Sequence, residues 1–407
     1  MRILVLSQYF WPENFRINDV VAGLVDRGHE VTVYTGMPNY PGGSFIEGYG
    51  LLGPFRETYR GASVRRSLLV PRGAGGALRL AVNYFSHAIC ATLLSPWLAR
   101  GDFDAILVFE PSPMTIGIPA RALRALKRAP VLLWVQDLWP ESLSATGAVK
   151  NAALLGGVDR LVRWIYRGCD LVLVQSAAFI DSVVNHGVPR DRVRYLPNSA
   201  EDYYRRFEPR ADDAEASELP RGFRVMYAGN IGAAQDFGTI LSAAELLKHE
   251  THIHWIAIGD GRMRPWVEGE LAKRGLVGRV HLLGQRQPER MARYFAHADV
   301  LLATLRREPI FAYTIPSKIQ SYLACGKPVI AALEGEGGRI IRDAGAGWAV
   351  APENPQALAD AVLAACRSSQ PDLQAMGKRG EDYFRQHFER EKLLTRLEEL
   401  MREAAGR

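Results

Sequence analysis

Cysteine is scarce in this chain: Cys90, Cys169, Cys325 and Cys366 lie far apart and none forms a CxxC pair. Such a set gives neither a zinc site nor a disulfide framework, and it points to a reducing, cytoplasmic compartment. Long apolar runs are missing too. The longest mostly apolar stretch, residues 88–99, is interrupted at Ser95-Pro96 and reads as too short to span a bilayer. Only Ile3 to Leu6 follow Met1-Arg2 before Ser7 and Gln8, with no small-residue cleavage site after them, so no secretory leader is expected. No GxGxxG follows the first strand-like run, which argues against a dinucleotide oxidoreductase of the usual type. Gly326-Lys327 runs into Pro328 and Gly377-Lys378 into Arg379, so there is no Walker loop. A GxSxG elbow is likewise absent. Nothing resembles a metal cage, and no metal is expected.

What is present is a globular composition, with 48% hydrophobic and 23% charged residues over 407 positions. That length suggests about two domains. The net charge of +6 is concentrated in one place. Residues 56–100 hold seven arginines (Arg56, Arg60, Arg65, Arg66, Arg72, Arg79, Arg100) against one acid, Glu57. Such a cluster is either a patch for an anionic partner or a solvated face.

Short apolar runs alternate with helical patterns along the chain. Residues 1–6 and 30–34 read as strands and 18–27 as the helix between them, a βαβ unit that implies a parallel sheet. The alternation continues with strands at 105–109, 131–135, 171–174 and 193–196. Residues 201–222 are dense in charge and carry Pro209 and Pro220, which marks a linker. After it the pattern restarts, with strands at 223–228, 253–258, 280–283, 300–303 and 328–331. The expected organisation is therefore an α/β protein of two doubly wound, Rossmann-like domains, 1–200 and 223–385. A terminal helix, 386–407, would pack back across them. Open sheets of this kind bind ligands at the carboxyl ends of their strands, which predicts an inter-domain cleft.

Three stretches carry candidate chemistry. Gly259-Asp260-Gly261 directly follows a strand; it permits close approach to a ligand, or is simply a tight turn. Gly229-Asn230-Ile231-Gly232 also follows a strand and suits an amide-lined phosphate loop, or an ordinary one. Pro316-Ser317-Lys318 opens a helix, so first-turn amides and a cation offer positive potential to a diphosphate; Gly326 and Pro328 end that helix.

The run from Pro316 to Val329, Pro-Ser-Lys-x-x-x-Tyr-Leu-Ala-x-Gly-Lys-Pro-Val, resembles the nucleotide-sugar motif of retaining family 4 glycosyltransferases with the GT-B fold. Gln8-Tyr9-Phe10-Trp11-Pro12-Glu13, Gly28-His29-Glu30-Val31-Thr32-Val33, Met37-Pro38-Asn39-Tyr40-Pro41, Asp137-Leu138-Trp139-Pro140-Glu141, Leu196-Pro197-Asn198 and Gly259-Asp260-Gly261 fit the same family in order. Within it the chain is most similar to the L-fucosamine transferase branch. The resemblance implies metal-independent, cofactor-free transfer of a sugar from a nucleoside diphosphate, with retention. It would place the diphosphate on Ser317 and Lys318, the ribose on Gln320 or Ser321, and the nucleoside near Gly259, Asp260 and Gly261. Gln285 would lie near the base, and Gly229 and Asn230 would complete the donor site. Asp137 is the candidate that orients or deprotonates the acceptor hydroxyl, or else caps the turn before Trp139-Pro140. Glu13, Asn14 and Asn39 are candidate acceptor contacts or plain loop residues. The chain departs from the family pattern at several points. Tyr313 and Ser321 stand where paired glutamates are usual, Asn230 and Gln235 where Arg and Lys hold phosphate, and Gln136 where many members have His.

Between Arg56 and Arg100 the arginines are interleaved with Leu78, Leu80, Val82, Tyr84, Phe85, Ile89, Leu93, Leu94, Trp97 and Leu98. This suits either an element in the interface of an anionic membrane or a buried helix with a basic flank. No nucleic-acid motif accompanies it. The expected protein is a peripheral enzyme of the inner face of the plasma membrane, moving N-acetyl-L-fucosamine or a related 6-deoxy amino sugar from UDP to a polyprenyl-diphosphate-linked saccharide. The alternatives are a nucleotide-sugar epimerase of the same fold and a non-catalytic nucleotide-sugar-binding scaffold.

Overall fold

The computed structural model describes residues 1–73, 75–145, 149, 151–210 and 212–406. The chain forms two compact units, Met1–Pro197 with Glu391–Arg407, and Asn198–Arg390.

The first unit is built on eight strands: β1 (Arg2–Leu6), β2 (Glu30–Gly36), β3 (Arg56–Tyr59), β4 (Ala62–Ser67), β5 (Ala105–Glu110), β6 (Val131–Val135), β7 (Leu171–Val174) and β8 (Val193–Tyr195). Their order is β3-β4-β2-β1-β5-β6-β7-β8, parallel throughout except for the β3–β4 hairpin at the edge. The central strands are apolar on both faces, as a sheet covered by helices on each side requires, and β5 and β6 are buried along their whole length. Connections run outward from β1 in one direction and from β5 in the other, so the carboxyl ends of these two strands flank a topological switch point.

The β3–β4 hairpin was not foreseen, because its arginines obscure the alternation. Arg66 points inward instead of out: it is fully buried, paired with Glu57, and donates to the carbonyls of Gly36 and Trp11. It therefore does not belong to a surface basic patch.

Residues Ala77–Leu98 form one helix that continues through Pro96, and it is long and apolar enough to cross a membrane. Its polarity is inverted relative to an ordinary surface helix. The buried side carries Asn83, His87, Ala88, Ala91 and Ser95, whereas Leu78, Val82, Phe85, Ile89, Leu93 and Trp97 are 41–80% exposed. Those six recur at intervals of three and four residues and so line one outward stripe.

The second unit is an all-parallel sheet of β9 (Phe223–Ala228), β10 (Ile253–Ile258), β11 (Val280–Gly284), β12 (Val300–Thr304), β13 (Val329–Ala332) and β14 (Gly347–Val350), ordered β11-β10-β9-β12-β13-β14. Its switch point lies between β9 and β12. The helices Gly335–Ala344 and Pro355–Arg367 and the strand β14, half-buried and opened by glycine, were not anticipated.

Residues 201–222 belong to this unit. They bury Leu219 in its core and pack Tyr204 and Phe207 against it, while Glu215 pairs with Arg290 at 2.8 Å. The long terminal helix is two helices, Gln370–His387 and Arg390–Ala404, separated at the buried Phe388. The last one seals the first unit. Leu394, Leu397, Leu400 and Met401 join the core with Ile3 and Val33, and Glu391 and Glu398 meet Arg27 and His29, each at 2.8 Å.

Candidate active site

In the second unit the predicted donor residues gather at the carboxyl edge of the sheet. The loop after β9 is fastened to its neighbours through backbone bonds: Gly229 N–H to Ile258, Ile231 N–H to Asp260 and Gly259 N–H to the Gly284 carbonyl, all within 3.0 Å. Gly259 has φ +147°, and a Cβ there would collide with the Gly229 carbonyl oxygen, so glycine is required for the two loops to meet. Asp260 is exposed, with Oδ1 accepting the Gly261 N–H at 2.7 Å. Asn230 and Gln285 are exposed as well, and Asn230 Nδ2 donates to Gln235 Oε1 at 3.3 Å.

The helix Ser317–Ala324 starts beside this loop, and no side chain caps its N-terminus. Tyr322 fixes its position, because the hydroxyl accepts from Ala228 N–H at 3.0 Å. Lys318 then reaches back over the end of β9. Its Nζ lies 3.8 Å from the centroid of the Tyr227 ring, close to Gly229, and among the described residues it has no hydrogen-bond partner. The side chain is half-buried overall, but the ammonium itself is covered, and burial lowers its pKa to about 7. Tyr227 is held flat by its hydroxyl, which donates to the Asn230 carbonyl at 2.6 Å. A buried cation over a ring, beside glycine loops and an uncapped helix start, is an arrangement suited to a compact anion.

Gln320 departs from the expectation. Successive helical residues turn about 100°, so Gln320 lies on the far side of the helix from Lys318. It is fully buried, and neither of its amide atoms has a partner among the described residues. It is not presented where Lys318 is. Ser321 does share the Lys318 side, with its hydroxyl donating to the Ser317 carbonyl at 3.3 Å. Tyr227 was missed, since only its place at the end of a strand sets it apart from other core tyrosines.

At the carboxyl edge of the first sheet, Asp137 follows β6. It is half-buried, and Oδ2 accepts from Ser142 Oγ at 3.1 Å. Ser112, held at φ +99° in the left-handed region, and the Leu138 amide also turn toward the carboxyl. Burial outweighs these donors and raises its pKa to about 6, which suits a group that exchanges a proton near neutrality. Glu110, at the end of β5, is fully buried nearby and is pushed well above the carboxylate range by desolvation and by Asp137. Tyr84, from the Ala77–Leu98 helix, stands close to Tyr9, Ser112 and Asp137, and its ring is 6.2 Å from that of Trp139. Nothing local in the sequence marks Glu110, Ser112 or Tyr84 as neighbours of Asp137, because the end of β5, the Ala77–Leu98 helix and the end of β6 meet only in the fold.

Two predicted acceptor contacts serve the scaffold. Glu13 is buried, and its carboxylate accepts the backbone N–H groups of Asn39 and Tyr40 at 2.8 Å and of Phe10 at 3.2 Å. Asn39 is fully buried, with Oδ1 accepting from Arg72 N–H and Asn83 Nδ2, and Nδ2 donating to the Met37 carbonyl. Both therefore shape the loops and offer no free polar atom outward. Asn14, by contrast, is exposed.

Comparison with known proteins matches this two-part arrangement. A glycosyl transferase 4-like domain matches residues 14–199, and a glycosyl transferases group 1 domain matches residues 222–368. The chain is 32% identical over 260 residues to a Pseudomonas aeruginosa protein named as the glycosyltransferase WbjE, covering 60% of this chain and 61% of that one. It is 26% identical over 340 residues to an Escherichia coli K12 protein named as the colanic acid biosynthesis glycosyl transferase WcaI, covering 80% and 82%. Among solved structures, Anabaena HepE in complex with UDP superposes with a TM-score of 0.69 at 17% identity, covering 98% and 99%. The chain thus matches a glycosyl transferase 4-like domain in its first half and a glycosyl transferases group 1 domain in its second, and it has the GT-B fold.

Proposed function

We propose that this chain transfers a sugar from a UDP-sugar to a lipid-linked saccharide in the synthesis of a surface polysaccharide, with retention of configuration. The carrying observation is Lys318: a covered ammonium with no hydrogen-bond partner among the described residues, at a helix start beside glycine loops. A diphosphate supplies the partner that this cation lacks. As the bond from the sugar C1 to the phosphate oxygen breaks, negative charge grows on the departing UDP, and the ammonium and helix dipole stabilise it. The acceptor oxygen bonds to C1, and its proton passes to Asp137. No metal or cofactor is part of the proposal. That HepE is described in complex with UDP supports this choice of donor. The resemblance noted above favours N-acetyl-L-fucosamine or a related 6-deoxy amino sugar.

The outward apolar stripe of Ala77–Leu98, next to Arg72, Arg79 and Arg100, supports a peripheral seat on the inner face of an anionic membrane. The test is release of UDP by purified protein on vesicles that hold a polyprenyl-diphosphate saccharide, across a panel of UDP-sugars. The expected result is acceptor-dependent release for one donor, from vesicle-bound protein. Binding of UDP-sugars without any transfer supports the scaffold in place of the enzyme, and epimerisation of a UDP-sugar without acceptor supports the epimerase.

A further inference from the structure

Arg72 is placed unlike Arg66, the arginine of its segment that pairs with an acid. Arg66 is buried against Glu57, but no carboxylate lies within ion-pair distance of Arg72 among the described residues. The side chain is half-buried, and its guanidinium lies 5.0 Å from the Tyr40 ring centroid and 5.7 Å from that of Tyr9. Nη1 donates to the Tyr9 hydroxyl at 3.1 Å, and the backbone N–H is held by Asn39 Oδ1 at 3.1 Å. The buried bonds of Asn39 and Asn83 thus build a fixed seat for a cation without an acid. A guanidinium stacked on rings keeps a planar edge of N–H donors, a shape that fits phosphate oxygens.

The surroundings say which phosphate. Tyr84, whose ring lies 6.2 Å from that of Trp139, stands near Tyr9 and Arg72 on one side and near Ser112 and Asp137 on the other, so the guanidinium and the candidate base have one tyrosine as a common neighbour. Tyr84 belongs to the helix whose other side exposes Leu78, Val82 and Phe85. We infer that Arg72, with Tyr84 beside it, binds the diphosphate of the acceptor, leaving the lipid along the apolar stripe and the sugar at Asp137. This inference rests on the proposed function and adds a separate anion site to it, in the first unit.

Calorimetric titration tests it, with UDP kept saturating so that Lys318 is occupied. The probes are farnesyl diphosphate, inorganic pyrophosphate and farnesol. The expected result is that farnesyl diphosphate binds more tightly than pyrophosphate, and that Arg72→Ala weakens both at least tenfold without changing farnesol. Arg72→Lys, which keeps the charge but not the planar edge, should recover only part of the loss. Arg72→Gln replaces Arg72→Ala if the latter does not fold. Unchanged binding of farnesyl diphosphate to these variants overturns the inference, as does pyrophosphate binding that does not depend on Arg72. UDP affinity is read separately. If it is absent while the Arg72 dependence holds, the donor reading fails and the acceptor site stands.

Discussion

The two candidate edges differ in the charge they bury. In the first unit, Glu13, Asn39 and Asn83 spend most of their hydrogen bonds on one another and on backbone amides, and the buried group left without a partner among the described residues beside Asp137 is a carboxyl, Glu110, which burial pushes toward its neutral form. In the second, Lys318 is covered and left without a hydrogen-bond partner among the described residues. Satisfied buried groups add stability and rigidity, whereas a desolvated, unpartnered charge costs stability and is retained where a ligand completes it. The first edge is thus a stiff frame that aims one carboxyl, and the second is a charge that awaits a partner.

The largest test of this contrast is Asp137→Asn. Loss of a positioned base costs about 10²–10⁴-fold in turnover, and steady-state transfer assays should show that fall with UDP affinity unchanged. The same variant should also be more stable at pH 8. The native pKa of about 6 lies above the ordinary value of 3.8, so the native state binds more protons between those values. The stability linked to Asp137 is therefore present at low pH and lost as pH rises through 6. Asparagine removes that loss, worth about 1–3 kcal/mol at about 1.4 kcal/mol per pKa unit, and denaturant melts should show no gain at about pH 3, part of it at about pH 5 and all of it at about pH 8.

Asn39→Ala probes the frame itself. It strips the acceptor from two donors, Arg72 N–H and Asn83 Nδ2. At about 1–3 kcal/mol for each unsatisfied buried group, the loss is about 2–6 kcal/mol. Chemical denaturation should find it with UDP affinity intact. An equal loss from Lys318→Met would erase the contrast.

Much of the fold was legible because buried parallel strands are continuous apolar runs. Residues 131–135, 223–228 and 253–258 were placed to the residue, and so was the helix from Ser317. The β3–β4 hairpin was hidden by its arginines, one of which points inward, and β14 by its half-exposed, glycine-led sequence. The carboxyl-edge positions of Asp137, Gly229, Gly259 and Lys318 also followed from local pattern. The roles of Glu13, Asn39 and Gln320 did not, because which side chains are consumed internally depends on partners far away in sequence. Arg72, Tyr84 and Tyr227 escaped for the same reason. A stacked ring or an absent acid is a tertiary fact.

The most direct measurement is calorimetric UDP affinity between pH 7 and 9 for the native chain and Lys318→Met. A charged hydrogen bond to phosphate is worth about 1.5–3 kcal/mol, so the variant should bind about 10–100-fold more weakly. The free lysine, with a pKa near 7, must take up a proton to hold the diphosphate, so native affinity should fall as pH rises while that of the variant stays flat. Equal affinities, or the same pH dependence in both proteins, would contradict the account.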